Sequence, residues 1–217
     1  MFAWFQVLVR GMADVIAFFY HLTGSYGVAI ILLTIAIRIL ILPIYQKQMA
    51  SLRKMQELAP KIREIQERYK GDQQKIGQAT MELYREYGAN PFSGCWPVLI
   101  QLPFLWAIFE ALQKYQYVGS SAFLWLPNLK TTDPYFILPV LAALTTFWQT
   151  RLTTPQMGDK TQALMTSVIM PLFIGYISLR FPAGLVLYWV VSNLFAIAQQ
   201  YVLAPKTAVV ATRGAGK

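Results

Sequence analysis

Long apolar runs dominate the chain and are separated by short polar segments. After the first 26 residues there are five of them, with only two charged side chains in total: 27–45, 92–113, 135–150, 163–179 and 183–203. A helix that crosses a bilayer needs about 17–25 mostly apolar residues, and the strands of a membrane barrel would instead alternate over about ten residues. The pattern therefore predicts an all-α, polytopic membrane protein with five transmembrane helices, and it excludes a soluble enzyme.

The first 24 residues carry a polar stripe on an otherwise apolar helix. Gln6, Arg10, Asp14 and His21 are spaced four, four and seven residues apart, which places them on one helix face. Arg10 and Asp14 would stand near the centre of a spanning helix, where charge is unfavourable. We therefore predict an extracytoplasmic amphipathic helix over 1–24 that lies in the membrane interface. A sixth span is the alternative.

The polar insert between the first two apolar runs has a helical pattern of its own. Apolar residues recur at helical spacing, Gly71-Asp72 interrupts them, and Asn90-Pro91 closes the second arm. We expect either a solvated spacer or a docking arm for lipid headgroups or delivery partners. The predicted organisation is the interfacial helix over 1–24, a first transmembrane helix over 25–45, a helical hairpin over 46–91, transmembrane helices two to five within 92–203, and a basic tail over 204–217.

The distribution of charge predicts the orientation of the chain in the membrane. The sequence has 19 Lys and Arg against 10 Asp and Glu, a net charge of +9. Of these basic residues, 14 fall in 46–91, 151–162 and 204–217, and 4 fall in the segments on the opposite side. Because basic loops stay in the cytoplasm, we predict that the N-terminus lies outside and that the hairpin and C-terminus lie in the cytoplasm of a cell whose inner (plasma) membrane holds the protein. In an organelle the basic side would be the matrix or stroma.

Arg38 lies inside the first apolar run, nine residues before Lys47. At about 1.5 Å per residue this is close to the membrane midplane, where an arginine costs about 2.5–3.5 kcal/mol. Thr34 lies one turn before it on the same face. We expect these two residues to line a hydrated cavity open to the cytoplasm, together with polar side chains of the other runs: Gln101, Thr145, Gln149, Trp189, Asn193 and Gln200. For Arg38 the alternatives are snorkelling to headgroups and a structural hydrogen bond to a carbonyl. For the Gln, Thr and Asn residues the alternative is interhelical hydrogen bonding, and for Trp189 it is packing.

Patterns typical of catalysis and metal binding do not occur in the sequence. Cys95 is the one cysteine and His21 the one histidine, which leaves no disulfide framework and no Cys/His metal site. The nucleotide-binding loop GxxxxGK and the zinc motif HExxH do not occur. We therefore expect no enzyme activity, no cofactor and no metal, and a physical role in moving something into or through lipid.

Several segments, taken together, resemble the YidC/Oxa/Alb family of membrane protein insertases. The first is TIAIRILILP, which runs from Thr34 to Pro43 and contains Arg38. The resemblance extends over roughly 25–203, and the further segments follow in order: YREYGANP from Tyr84, GCWP from Gly94, IQLP from Ile100, DPY from Asp133, FPAGL from Phe181, LYW from Leu187 and SN from Ser192.

The resemblance implies a five-helix bundle around a positively charged hydrophilic groove that opens to the cytoplasm and to lipid. In this groove the hydrophilic part of a nascent membrane protein is received and inserted without nucleotide hydrolysis. Arg38 takes the position of the groove arginine, and Thr34, Tyr188 and Trp189 match positions along the substrate path. The implied partners are nascent membrane proteins and the bilayer, with the ribosome, signal recognition particle and Sec translocon as candidates and no DNA. A small anion channel or transporter that uses the Arg38 cavity is the alternative function.

Overall fold

The described residues of the computed structural model, 3–89, 96–114, 121–153 and 164–203, fold into helices, and the all-α prediction is confirmed. Helix α1 spans Ala3–Thr23, α2 Tyr26–Arg68, α3 Gln73–Glu86, α4 Trp96–Lys114 and α5 Ile137–Thr153. A π-helical segment, Met165–Ile169, runs directly into α6, Met170–Ser178, and α7 spans Ala183–Leu203. The tail predicted over 204–217 lies outside the described residues.

Three of the described helices are long and apolar enough to cross a membrane, judged by length and composition: Phe5–Thr23, Tyr26–Gln46 and Ala183–Val202. Leu102–Gln113 and Met165–Ser178 are apolar helices of shorter length. Parts of the predicted second and fourth spans, 92–95 and 163, are not among the described residues. The number of five transmembrane helices therefore stays a prediction.

Helix α1 packs against α2 and α4 through one face. The buried residues of this face recur at spacings of four, three and four: Phe5, Val9, Met12 and Ile16. Arg10 and Asp14, from the predicted polar stripe, are exposed. The helix is long enough to cross the membrane, but a spanning α1 would place both charges among lipid tails. The interfacial location therefore remains our prediction.

Helix α2 is one continuous element that contains both the predicted transmembrane helix and the first arm of the predicted hairpin. The prediction divides them at residue 45, but the helix continues to Arg68 with Pro43 and Pro60 inside it. Residues 46–59 contain neither glycine nor proline, so nothing in this stretch interrupts the backbone hydrogen bonds. The change from apolar to polar composition near residue 45 therefore marks where the same helix passes from the membrane into water, and the helix does not end there.

Helix α3 packs on the polar part of α2 and gives the hairpin a small core of its own. Gly71 adopts a φ of +96° in the turn, and Asp72 begins α3 by accepting a hydrogen bond from the Lys75 backbone N–H at 3.0 Å. This bond holds the pKa of the Asp72 carboxyl below its usual value. The buried side chains of this core come from both arms of the hairpin and from Ala89, which lies just beyond α3. They are Met55, Leu58, Ile62, Leu83, Tyr84 and Ala89.

The loop over 121–136 connects the starts of α2 and α7 at the end of the bundle opposite the hairpin. The Thr131 carbonyl accepts a hydrogen bond from the Ala183 N–H at 2.7 Å, and the Leu129 carbonyl accepts one from the Gly184 N–H at 2.9 Å. The first N–H groups of a helix have no partner within the helix, so the loop satisfies them for α7. These bonds fix the start of the helix that carries Tyr188, Trp189 and Asn193.

Gly27 is the point at which this loop touches α2. A Cβ on Gly27 would overlap the Phe123 ring, so Gly27→Ala must displace that ring. We expect the free energy of unfolding to fall by about 1–3 kcal/mol, as measured by denaturation in detergent. Gly11→Ala is the control, because nothing lies within 4 Å of its Cβ and alanine favours a helix. Equal stability of the two variants would contradict the contact.

Candidate functional site

A cavity of about 450 Å³ lies among α2, α4, α5, α6 and α7. Helices α4 and α6 contribute mainly apolar side chains to it, such as Phe104 and Phe173. Its polar side chains come mostly from α2, α5 and α7: Arg38, Tyr45, Thr146, Gln149, Thr150, Ser178, Tyr188, Trp189, Ser192 and Asn193. An occupant of this cavity would therefore meet both an apolar surface and a group of polar side chains.

Arg38 is the one Lys or Arg among the described residues that line the cavity. It lies eight residues before Gln46, where the apolar part of α2 ends, which is about 12 Å along the helix axis. In the described part of the chain it forms no ion pair with a carboxylate, and the groups that interact with it electrostatically are Tyr188 and Tyr45. Its charge is therefore available to an anionic group that enters the cavity.

The structure places five of the nine residues predicted for the cavity and the substrate path on the cavity wall: Arg38, Gln149, Tyr188, Trp189 and Asn193. Thr145 and Gln200 are not among the residues that line it. Thr34 is different, since it is fully buried in the core and its hydroxyl donates a hydrogen bond to the Ile30 carbonyl at 2.6 Å. A threonine in a helix commonly bonds the carbonyl one turn earlier, and this satisfies the hydroxyl without any occupant of the cavity. Gln101 lies in α4, and its side chain is outside what the structure describes.

A polar cluster joins α5 to α7 within the cavity wall. Nε1 of Trp189 donates a hydrogen bond to Oγ1 of Thr146 at 3.0 Å. The side-chain amide of Asn193 lies 2.9 Å from the same oxygen and 3.2 Å from Oγ1 of Thr145. For Asn193 and Thr145 these are the interhelical hydrogen bonds that the sequence left open as the alternative. In this structure Trp189 and Asn193 hold two helices together at the edge of the cavity.

Loss of this cluster should destabilise the bundle. We expect Asn193→Ala to lower the free energy of unfolding in detergent by about 1–2 kcal/mol, because both threonine hydroxyls lose a partner. Leu194→Ala is the matched control, since Leu194 is the next residue and its side chain is exposed; its effect should stay within about 0.5 kcal/mol. If both substitutions have the same effect, the cluster does not hold α5 against α7.

Five polar residues of the wall were not predicted from the sequence: Tyr45, Thr146, Thr150, Ser178 and Ser192. Helical spacing could have found three of them, because Tyr45 follows Arg38 by seven residues, Thr146 precedes Gln149 by three and Ser192 follows Tyr188 by four, distances that return to the same helix face. The bonds of Thr146 to α7 depend on how α5 packs against that helix.

Comparison with known proteins gives one consistent result. Residues 18–209 match the family described as 60Kd inner membrane protein. A protein of Caldanaerobacter subterraneus named membrane protein insertase YidC is 42% identical over 196 residues, which are 90% of this chain and 93% of that protein. The chain belongs to the YidC family of membrane protein insertases.

Other members of the family are longer than this chain. Proteins named membrane protein insertase YidC from Campylobacter jejuni and Wolinella succinogenes are 39% and 44% identical over 93% and 83% of this chain, which match only 38% and 34% of their own lengths. A solved structure described as an active YidC insertase with the first transmembrane domain resolved superposes with a TM-score of 0.72 at 30% identity. The match covers 92% of this chain and 47% of that one.

Membership in the YidC family confirms the resemblance predicted from the sequence and the assignment as an insertase. The chain is a multi-pass membrane protein. The alternative of an anion channel or transporter gains no support from these relatives.

Proposed function

We propose that the chain inserts a nascent membrane protein by receiving its hydrophilic segment in the Arg38 cavity while its apolar segment passes into lipid. The observation that carries this proposal is the position of Arg38, which lines a cavity deep in an apolar helix without a carboxylate partner among the described residues. A client carboxylate in that cavity interacts with Arg38 several times more strongly than in water, because the effective dielectric constant falls from about 80 to about 20.

The cavity also reduces the cost of moving polar groups into the membrane. Peptide groups in a bilayer must find hydrogen-bond partners other than water, and the side-chain amide of Gln149 on the cavity wall can both donate and accept. Apolar residues of the same wall can meet the hydrophobic part of the client. We infer that the cavity opens to the cytoplasm and to lipid, and that insertion proceeds without nucleotide hydrolysis and without any catalytic step.

Orientation and delivery follow from the charge pattern. We place α1 and the loop over 121–136 outside, with the hairpin and the C-terminus in the cytoplasm, because loops rich in Lys and Arg stay there. From Gln46 to Arg68 α2 extends about 33 Å beyond its apolar part. We propose that this arm meets the ribosome, signal recognition particle or Sec translocon that hands over a client.

Reconstitution tests the proposed function. The purified chain in liposomes should insert a single-span client with an acidic N-terminal segment, measured as protection of that segment from external protease. Insertion should exceed that of protein-free liposomes and should not change when nucleotide is removed. Protection equal to that of protein-free liposomes would refute the proposal, and ion flux without protection would indicate a channel.

A further inference from the structure

Two residues that line the Arg38 cavity carry buried hydroxyl groups without a hydrogen bond to any described residue. Tyr45 and Ser192 both line the cavity, their side chains are only 8% and 3% exposed, and neither hydroxyl has a partner in the described part of the chain. Buried polar groups in proteins are nearly always hydrogen-bonded. Each hydroxyl therefore lacks a partner that a molecule entering the cavity could supply if the side chain turns toward it.

Other hydroxyls of the wall already have partners. Ser178 donates to the Ile174 carbonyl at 2.6 Å, and Thr150 donates to the Phe147 carbonyl at 3.0 Å. Serine and threonine in helices commonly bond a carbonyl three or four residues earlier in this way. Ser192 makes no such bond, so its hydroxyl is held differently from those of its neighbours in the wall.

The two hydroxyls lie on different helices around the same space as Arg38. Tyr45 is seven residues beyond Arg38 on α2, about 10 Å further along the axis toward the hairpin. Ser192 is on α7, one turn beyond Tyr188. An extended peptide covers about 10 Å with three residues. A client segment of about three extended residues could therefore place an acidic side chain at Arg38. Its main chain could at the same time contact the hydroxyl of Tyr45 or Ser192.

We propose that the hydroxyls of Tyr45 and Ser192 bind the peptide main chain of the client's hydrophilic segment, an inference that rests on the proposed function. Main-chain N–H and C=O groups occur in every client, and each needs a partner once it leaves water. A hydroxyl can donate and accept, whereas a guanidinium only donates. Arg38 then favours acidic side chains, and the two hydroxyls add binding that does not depend on the sequence of the client.

A double variant, Tyr45→Phe with Ser192→Ala, removes both hydroxyls and keeps the ring. Insertion into liposomes is measured with two single-span clients that differ only by Asp or Asn in the N-terminal segment. We expect a loss of about five- to 150-fold for both clients, the range for two neutral hydrogen bonds. Arg38→Ala in the same assay should impair the acidic client more than the neutral one. Tyr201→Phe is the control, because its hydroxyl accepts from Nε1 of Trp148 on an exposed surface.

Each other outcome overturns a defined part of the proposal. Wild-type insertion of both clients by the double variant would show that the hydroxyls bind only water. A loss confined to the Asp client would exclude the main chain as the ligand. If the double variant unfolds at a lower temperature than wild type, a photo-crosslinking phenylalanine at position 45 replaces it, and failure to label the client's hydrophilic segment would overturn the proposal. If the wild-type chain inserts neither client, the proposed function itself fails.

Discussion

Arg38→Ala reduces insertion of clients with acidic hydrophilic segments at least a hundredfold, and Arg38→Lys retains most of it. The alanine variant removes the one Lys or Arg among the described residues of the cavity wall, so a client carboxylate would be left there without compensation. A buried charge without its partner costs about 3–5 kcal/mol, and about 2.7 kcal/mol corresponds to a hundredfold. Lysine keeps the charge but not the planar fork of donors. Protease protection in liposomes measures both variants.

Leu40→Ala is the matched control for this prediction. Leu40 is two residues from Arg38 on the same helix, and its side chain is 76% exposed. This variant should insert the same client at the wild-type rate. Wild-type insertion of acidic clients by Arg38→Ala would contradict the role of the cavity charge.

Asp133→Ala lowers the free energy of unfolding by about 3 kcal/mol, because hydrogen bonds to a charged group contribute about 1.5–3 kcal/mol each. The carboxylate is 3% exposed and accepts bonds from the Tyr135 N–H at 3.0 Å and from the Leu138 N–H at 2.7 Å. Between these two residues Phe136 adopts a φ of +58°, which is unfavourable for a side chain of this size. Denaturation in detergent measures the effect.

Thr132→Ala is the control for the buried carboxylate, since Thr132 is adjacent and exposed. Its effect should stay within about 0.5 kcal/mol, and Asp133→Asn should fall between the two because an amide keeps one acceptor oxygen. If Asp133→Ala is as stable as the Thr132 variant, the carboxylate does not hold the start of α5.

The all-helical fold and the special place of Arg38 are both visible in the sequence because they are local properties. The length of an apolar run indicates a helix in a membrane, and a charge inside such a run stands out. The end of a helix is less visible when no breaker is present. Residue 45 marks a change of polarity, and α2 continues through it to Arg68.

The orientation of polar side chains depends on distant parts of the chain and could not be predicted from spacing alone. Thr34 and Tyr45 share a helix with Arg38, but Thr34 turns into the core and Tyr45 faces the cavity. Trp189 and Asn193 reach the cavity wall as predicted by their pattern of polarity. Their polar atoms form hydrogen bonds with Thr146, which is 43 residues from Trp189 and 47 residues from Asn193 in the sequence. A pattern of neighbouring residues cannot predict a pair so far apart.

Photo-crosslinking from neighbouring positions of α2 tests most directly whether the client's hydrophilic segment enters the Arg38 cavity. Ile41 lines the cavity, and Leu40 is exposed on another face of the same turn. A photo-crosslinking residue is placed at one of these positions at a time, with a single-span client stalled during synthesis. We predict that position 41 labels the hydrophilic segment of the client and that position 40 labels lipid. Equal labelling of that segment from both positions, or none from position 41, would contradict the account.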